Sequence, residues 1–261
     1  MSNTVLITFG CSWTFGEGAG YEEGMSLEDY EKVQHDEAIC WDNGWRRIVV
    51  EHYDIEHINI SESGSSNDRQ FRLAKRFLVS EEFRDLYHQK KNIIVLWGIT
   101  SVNRYDMWVK SLGKYKKLFL QNVATDMLLY GEDSDHLAYA LDKFSYSESA
   151  RVRELELNFL YWNQYFKLLG IKNFWFDTFT SFDYKVKIHN FFDNEKNKDR
   201  DLVSVIANHH KKQKNYNNFL GIDNFKYALD NNLLNPYSFH PKKEGYKLLG
   251  DYFIEKLKEY V

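Results

Sequence analysis

The sequence predicts an α/β protein: a three-layer α/β/α sandwich with a mostly parallel sheet between two layers of helices. Two observations predict it. Short apolar runs, β-branched or aromatic, alternate with longer segments whose apolar residues recur every three to four positions. Each run is followed by small or polar residues, as at the carboxyl ends of strands in an open sheet. A chain of 261 residues suits one large domain, or one domain with a substantial insertion.

The elements follow in order. Residues 5–9, 55–60, 92–97 and 171–176 read as buried parallel strands. Residues 45–53 and 67–79 read as amphipathic helices. Residues 151–169 form a longer one, with Leu155, Phe159, Trp162 and Phe166 on one face. A final helix follows Lys242, with Tyr246, Leu249, Phe253, Leu257 and Tyr260 as its apolar stripe. Strands alternating with helices imply right-handed crossovers. Residues 1–261 are read as a single domain, with 105–150 and 183–234 as candidate insertions or lids.

Bulk properties exclude several classes. Hydrophobic residues at 43% and charged residues at 28% are ordinary globular usage, so a sizeable core is expected. Aromatic content of 17% is high enough to fill a core and still line a cleft. A net charge of -4 weighs against a general nucleic-acid binder. Cys11 and Cys40 are the two cysteines and make no disulfide framework. No signal-peptide pattern or membrane-length apolar run is present, so the expectation is a cytoplasmic protein without membrane partners. No zinc-type quartet or phosphate loop is found, and neither metal nor cofactor is expected.

The chemistry concentrates at the two ends. After the first strand comes Gly10-Cys11-Ser12-Trp13-Thr14-Phe15-Gly16, which places Ser12 at the carboxyl end of the sheet. The only two prolines, Pro236 and Pro241, flank His240, which marks a deliberately shaped loop before the last helix. A serine hydroxyl needs a base within hydrogen-bond reach, and His240 is the natural candidate. Cys11 precedes Ser12 in an extended chain and points to the opposite side, so it reads as a small buried residue.

These blocks resemble those of the SGNH/GDSL hydrolases, whose serine sits in a Gly-x-Ser-x-x-x-Gly frame and whose histidine precedes the last helix. Here Cys11 replaces the aspartate of the GDSL name. The Gly-Cys-Ser block and the low-proline, Asn/Lys-rich composition also resemble SGNH-like proteins of tailed bacteriophages and AT-rich bacteria; a viral protein would act in the host-cell cytoplasm. The resemblance implies a flavodoxin-like sandwich and an ester hydrolase with Ser12 as nucleophile and His240 as base. It implies an oxyanion hole from the backbone N–H groups of Ser12 and Gly64.

Two departures from the family pattern stand out. Its Gly-x-Asn block reads Gly98-Ile99-Thr100 here, so Thr100, or Asn103 further on, is the candidate for the third donor. Its Asp-x-x-His block has Tyr237 at the aspartate position. A phenol is neutral at pH 7 and supplies no charge. A Ser-His dyad, a carboxylate from elsewhere with Asp177 as the candidate, and an inactive site are all open. Trp13, Asn67, Arg104 and Tyr237 flank the blocks and are the candidate substrate contacts. The partner expected is a small-molecule or carbohydrate ester. The alternatives are a catalytically degenerate module that binds a glycan or protein, and an O-acyltransferase.

Overall fold

The computed structural model describes residues 3–102, 104–109, 113–119, 148–178 and 232–261. Strand β1 (Thr4–Phe9) is followed by three short helices, α1 (Ser12–Phe15), α2 (Leu27–Val33) and α3 (Glu37–Asp42). Then come α4 (Trp45–Tyr53), β2 (Glu56–Asn59), α5 (Asn67–Leu78), α6 (Glu81–His88) and β3 (Asn92–Ile99). A hairpin, β4 (Arg104–Val109) and β5 (Lys114–Phe119), precedes α7 (Glu148–Leu168), β6 (Lys172–Asp177) and α8 (Lys243–Leu257).

The main sheet has the order β2-β1-β3-β6 with every pairing parallel. Side chains alternate along each strand, so each strand serves two cores. Val5, Ile7, Phe9, Val95, Trp97 and Trp175 face α5, α6 and α7. Leu6, Ile94, Leu96, Phe174 and Phe176 face α4 and α8 through Trp45, Val49, Tyr246, Leu249 and Phe253. Helices therefore cover both faces, and the sandwich predicted from the sequence is the observed architecture.

An aromatic ladder crosses the sheet on the first face. Phe9, Trp97 and Trp175 occupy matched register positions on β1, β3 and β6. Their rings stack at 4.3 and 4.9 Å between centroids. Buried indoles need acceptors. Trp97 Nε1 donates to Asn173 Oδ1 at 2.7 Å, and Trp175 Nε1 donates to Asn163 Oδ1 at 2.9 Å.

The segment 105–150 is only partly described. Its hairpin packs on α5, where Arg72 bonds the Asp106 carboxylate and lies over the Tyr115 ring at 3.9 Å. Residues 120–147 of that segment, and nearly all of 183–234, lie outside the described residues.

Candidate active site

The turn after β1 is built around one threonine. Thr14 projects from α1 into the gap between the ends of β1 and β3. A Cβ on Gly10 would stand 1.9 Å from Thr14 Oγ1, and one on Gly98 would stand 2.0 Å from it. Both strand ends must therefore be glycine for α1 to sit down on the sheet. Ser12 is the first residue of that helix, and its backbone carbonyl accepts from Gly16 N and Glu17 N. Among the described residues, neither the Ser12 N–H nor the Gly64 N–H donates a hydrogen bond. Gly64, in the β2–α5 loop, has φ 69°, in the left-handed region where glycine carries no Cβ penalty.

The histidine loop closes on itself before α8. Leu234 and Pro241 form an antiparallel bridge, and Lys242 N donates to Leu233 O at 2.7 Å. Asn235, fully buried, is the hub of this loop. Its Oδ1 accepts from Tyr237 N at 3.1 Å and Ser238 N at 2.9 Å, and its Nδ2 donates to His240 O at 3.2 Å. Phe239 has φ 55°, a strained value for a bulky residue, and this turn carries the chain into His240.

The loop delivers the imidazole to the serine. His240 Nε2 lies 2.7 Å from Ser12 Oγ, and His240 Nδ1 lies 2.8 Å from Ser238 Oγ. One assignment satisfies both imidazole nitrogens. Nδ1–H donates to Ser238 Oγ, Tyr30 OH donates to the same oxygen at 2.6 Å, and Ser238 donates to Asn235 Oδ1 at 3.2 Å. Nε2 is then unprotonated and accepts from the Ser12 hydroxyl.

A carboxylate stands beside this pair. Glu17 Oε1 is 3.7 Å from His240 Nδ1, with the Glu17 side chain 8% exposed. Its Oε2 accepts from Ser63 Oγ and lies 3.8 Å from Nδ1 of the exposed His35. Burial holds the His240 pKa below the ordinary histidine value; the Glu17 charge opposes this, while Arg104 and His35 reinforce it. Burial likewise lowers the Arg104 pKa, with Cys11 and Glu17 opposing. The Arg104 charge therefore acts on His240 as well.

The other sequence candidates fall as follows. Asn67 is held inside the fold: its Nδ2 donates to Thr100 O at 2.8 Å and its Oδ1 accepts from Thr100 N at 3.0 Å. The N-cap of α5 is Ser66, its hydroxyl accepting from Arg69 N at 3.2 Å. Thr100 is fully buried, and its hydroxyl has no hydrogen-bond partner among the described residues. Trp13 is 2% exposed, packs with Cys11 and Leu234, and its carbonyl accepts from Trp45 Nε1. Tyr237 donates its hydroxyl to Met25 O at 2.7 Å and packs on Tyr21 and Tyr30. Asp177 ends β6 opposite Ile99, but its side chain is outside the described residues, as is Asn103.

Sequence reasoning missed Glu17, Ser238, Asn235 and Tyr30. Glu17 stands five residues after Ser12, but with Glu22, Glu23 and Glu28 it reads in the sequence as a solvated acidic face rather than an acidic rim.

No protein-family model matches the chain, and no curated protein matches it. Twenty-four solved chains resemble it in structure. One is the psychrotrophic esterase EstA of Pseudoalteromonas sp., with 13% identity over 98% of both chains and a TM-score of 0.43. A second is an acetyl xylan esterase of the rumen bacterium Butyrivibrio proteoclasticus, at 12% identity and a TM-score of 0.48, covering 99% of this chain and 64% of that one. A third is a member of the lipolytic G-D-S-L family from Veillonella parvula, at 12% identity and a TM-score of 0.36, covering 98% of this chain and 97% of that one. With identities this low, the chemistry has to be read from this chain's own residues.

Proposed function

We propose that the chain is a serine hydrolase acting on ester bonds. More narrowly, it is an SGNH/GDSL-type esterase with a Ser-His pair and an acyl-enzyme intermediate. The observation that carries this reading is the 2.7 Å contact between Ser12 Oγ and His240 Nε2, made by residues from opposite ends of the chain at the carboxyl edge of the sheet.

The geometry suits general-base activation. His240 Nε2 takes the hydroxyl proton as Ser12 Oγ bonds to the acyl carbon. The carbonyl oxygen becomes an oxyanion, and the Ser12 and Gly64 N–H groups are the donors for it. Thr100 and Asn103 are the further donor candidates. The tetrahedral species then collapses, and His240 returns its proton to the departing alcohol. A water, deprotonated by His240, releases the acid and restores Ser12. The substrate class is a small-molecule or carbohydrate ester, with Arg104 as a candidate contact for an anionic group.

Hydrolysis of p-nitrophenyl acetate by the wild type, Ser12→Ala and His240→Ala tests this. Turnover in the wild type that falls to background in both variants is expected. Equal turnover in Ser12→Ala would remove the nucleophile. A wild type without turnover would favour the binding-module reading.

A further inference from the structure

We propose that Glu17 is the charge partner of His240, a positioning residue delivered by the nucleophile's own loop in place of the carboxylate missing at Tyr237. The inference rests on the Ser12–His240 pair being the reacting pair.

Three features place Glu17. Its backbone N–H donates to the Ser12 carbonyl at 3.0 Å, so the two residues share one turn. Its backbone carbonyl accepts from the buried Tyr246 hydroxyl of α8 at 2.8 Å, which ties that turn to the helix following His240. The next residue, Gly18, has φ 93°, and a Cβ there would meet His240 Cβ at 2.6 Å and Asn235 Nδ2 at 2.8 Å. Only glycine lets this loop lie directly on the histidine loop.

Its side chain is fixed as well. Ser63 donates to Oε2, which leaves Oε1 toward His240 Nδ1. Ser238 orients the imidazole by accepting from Nδ1–H, but a hydroxyl carries no charge. When His240 takes the Ser12 proton, the imidazolium forms in a buried place, where an unpaired charge is costly. Glu17 is the carboxylate that faces it. Arg104, from the start of β4, and His35, from the α2–α3 turn, oppose protonation. His35 is 57% exposed, so water screens much of its effect.

The test separates charge from architecture. The His240 Cε1–H resonance, assigned by its loss in His240→Ala, is titrated by NMR in the wild type, Glu17→Gln and Glu17→Asp. Loss of the carboxylate lowers the His240 pKa by about half a unit or more, and Glu17→Asp gives a smaller shift of the same sign. The acid limb of ester hydrolysis moves to lower pH in parallel, and turnover on the plateau falls about tenfold or more. An unmoved His240 titration in both folded variants overturns the proposal. If His240 shifts but the wild type hydrolyses no ester, the charge pairing stands and the hydrolase reading falls. If esters are hydrolysed but His240 does not shift, the hydrolase reading stands and Glu17 falls.

Discussion

Asn235→Ala removes the hub of the histidine loop while leaving Ser12 and His240 in the chain. The substitution strips the acceptor from two backbone N–H groups, those of Tyr237 and Ser238, and removes one of two donors to the His240 carbonyl, which keeps the residue-235 backbone N–H at 2.9 Å. A buried polar group left unpaired costs about 1–3 kcal/mol. Tyr237 is 40% exposed, so water recovers part of its share. The summed loss of stability is then about 2–4 kcal/mol, and it is local to the loop. The strained φ of Phe239 is then held by backbone contacts alone, the Leu234–Pro241 bridge and the Phe239 N–H to Asn235 O bond at 3.2 Å, so the loop loosens and His240 moves off Ser12. Urea melting reads the stability, and the rate of fluorophosphonate labelling reads the Ser12–His240 pair. Labelling should fall at least tenfold under conditions where the variant is more than nine-tenths folded, an order-of-magnitude expectation from the loss of a positioned base. A folded variant labelled within about twofold of wild type would show that Asn235 does not hold the base.

Two further outcomes follow from packing and burial. Gly98→Ala drives a Cβ into Thr14 Oγ1 and the Phe176 ring, and should cost about 1–3 kcal/mol of stability; adding Thr14→Ala should recover much of it, as a double-mutant cycle by urea melting would show. Burial, aided by the Arg46 charge, pushes the His57 pKa down to about 3, where the ring hydrogen-bonds Thr8 Oγ1 and stacks on Trp41. Its folded pKa is below the unfolded value of 6.5, so the unfolded chain binds the extra proton and stability falls as the pH drops from 6.5 toward 3. Between pH 7.5 and 5 this loss is about 2 kcal/mol, and His57→Gln should remove it from the pH dependence of urea melts. An unchanged slope in that variant would mean that His57 titrates normally in the fold.

The sheet and its major helices were legible because each carries a long-range burial pattern written into adjacent residues. The helix expected over 45–53 is α4, and the strand expected over 92–97 is β3 extended to Ile99. The short helices α2 and α3 were not legible. They are held by the caps Ser26 and Asp36 and bury few side chains, so they show no apolar stripe. Ser12 and His240 could be read from their local frames. Glu17 could not, because its neighbours Glu22, Glu23 and Glu28 make the segment look like a solvated acidic face. Its burial is set by Ser63, Tyr246 and Gly18, which are remote or conformational partners. Asn235 and Ser238 are likewise meaningless until the Leu234–Pro241 bridge closes the loop.

The most direct test of the central claim is covalent labelling by a fluorophosphonate followed by peptide mass mapping. One adduct per chain on Ser12, absent in Ser12→Ala and slowed by orders of magnitude in His240→Ala, is the predicted result. A folded wild type that takes no adduct, or an adduct that persists in Ser12→Ala, would contradict it.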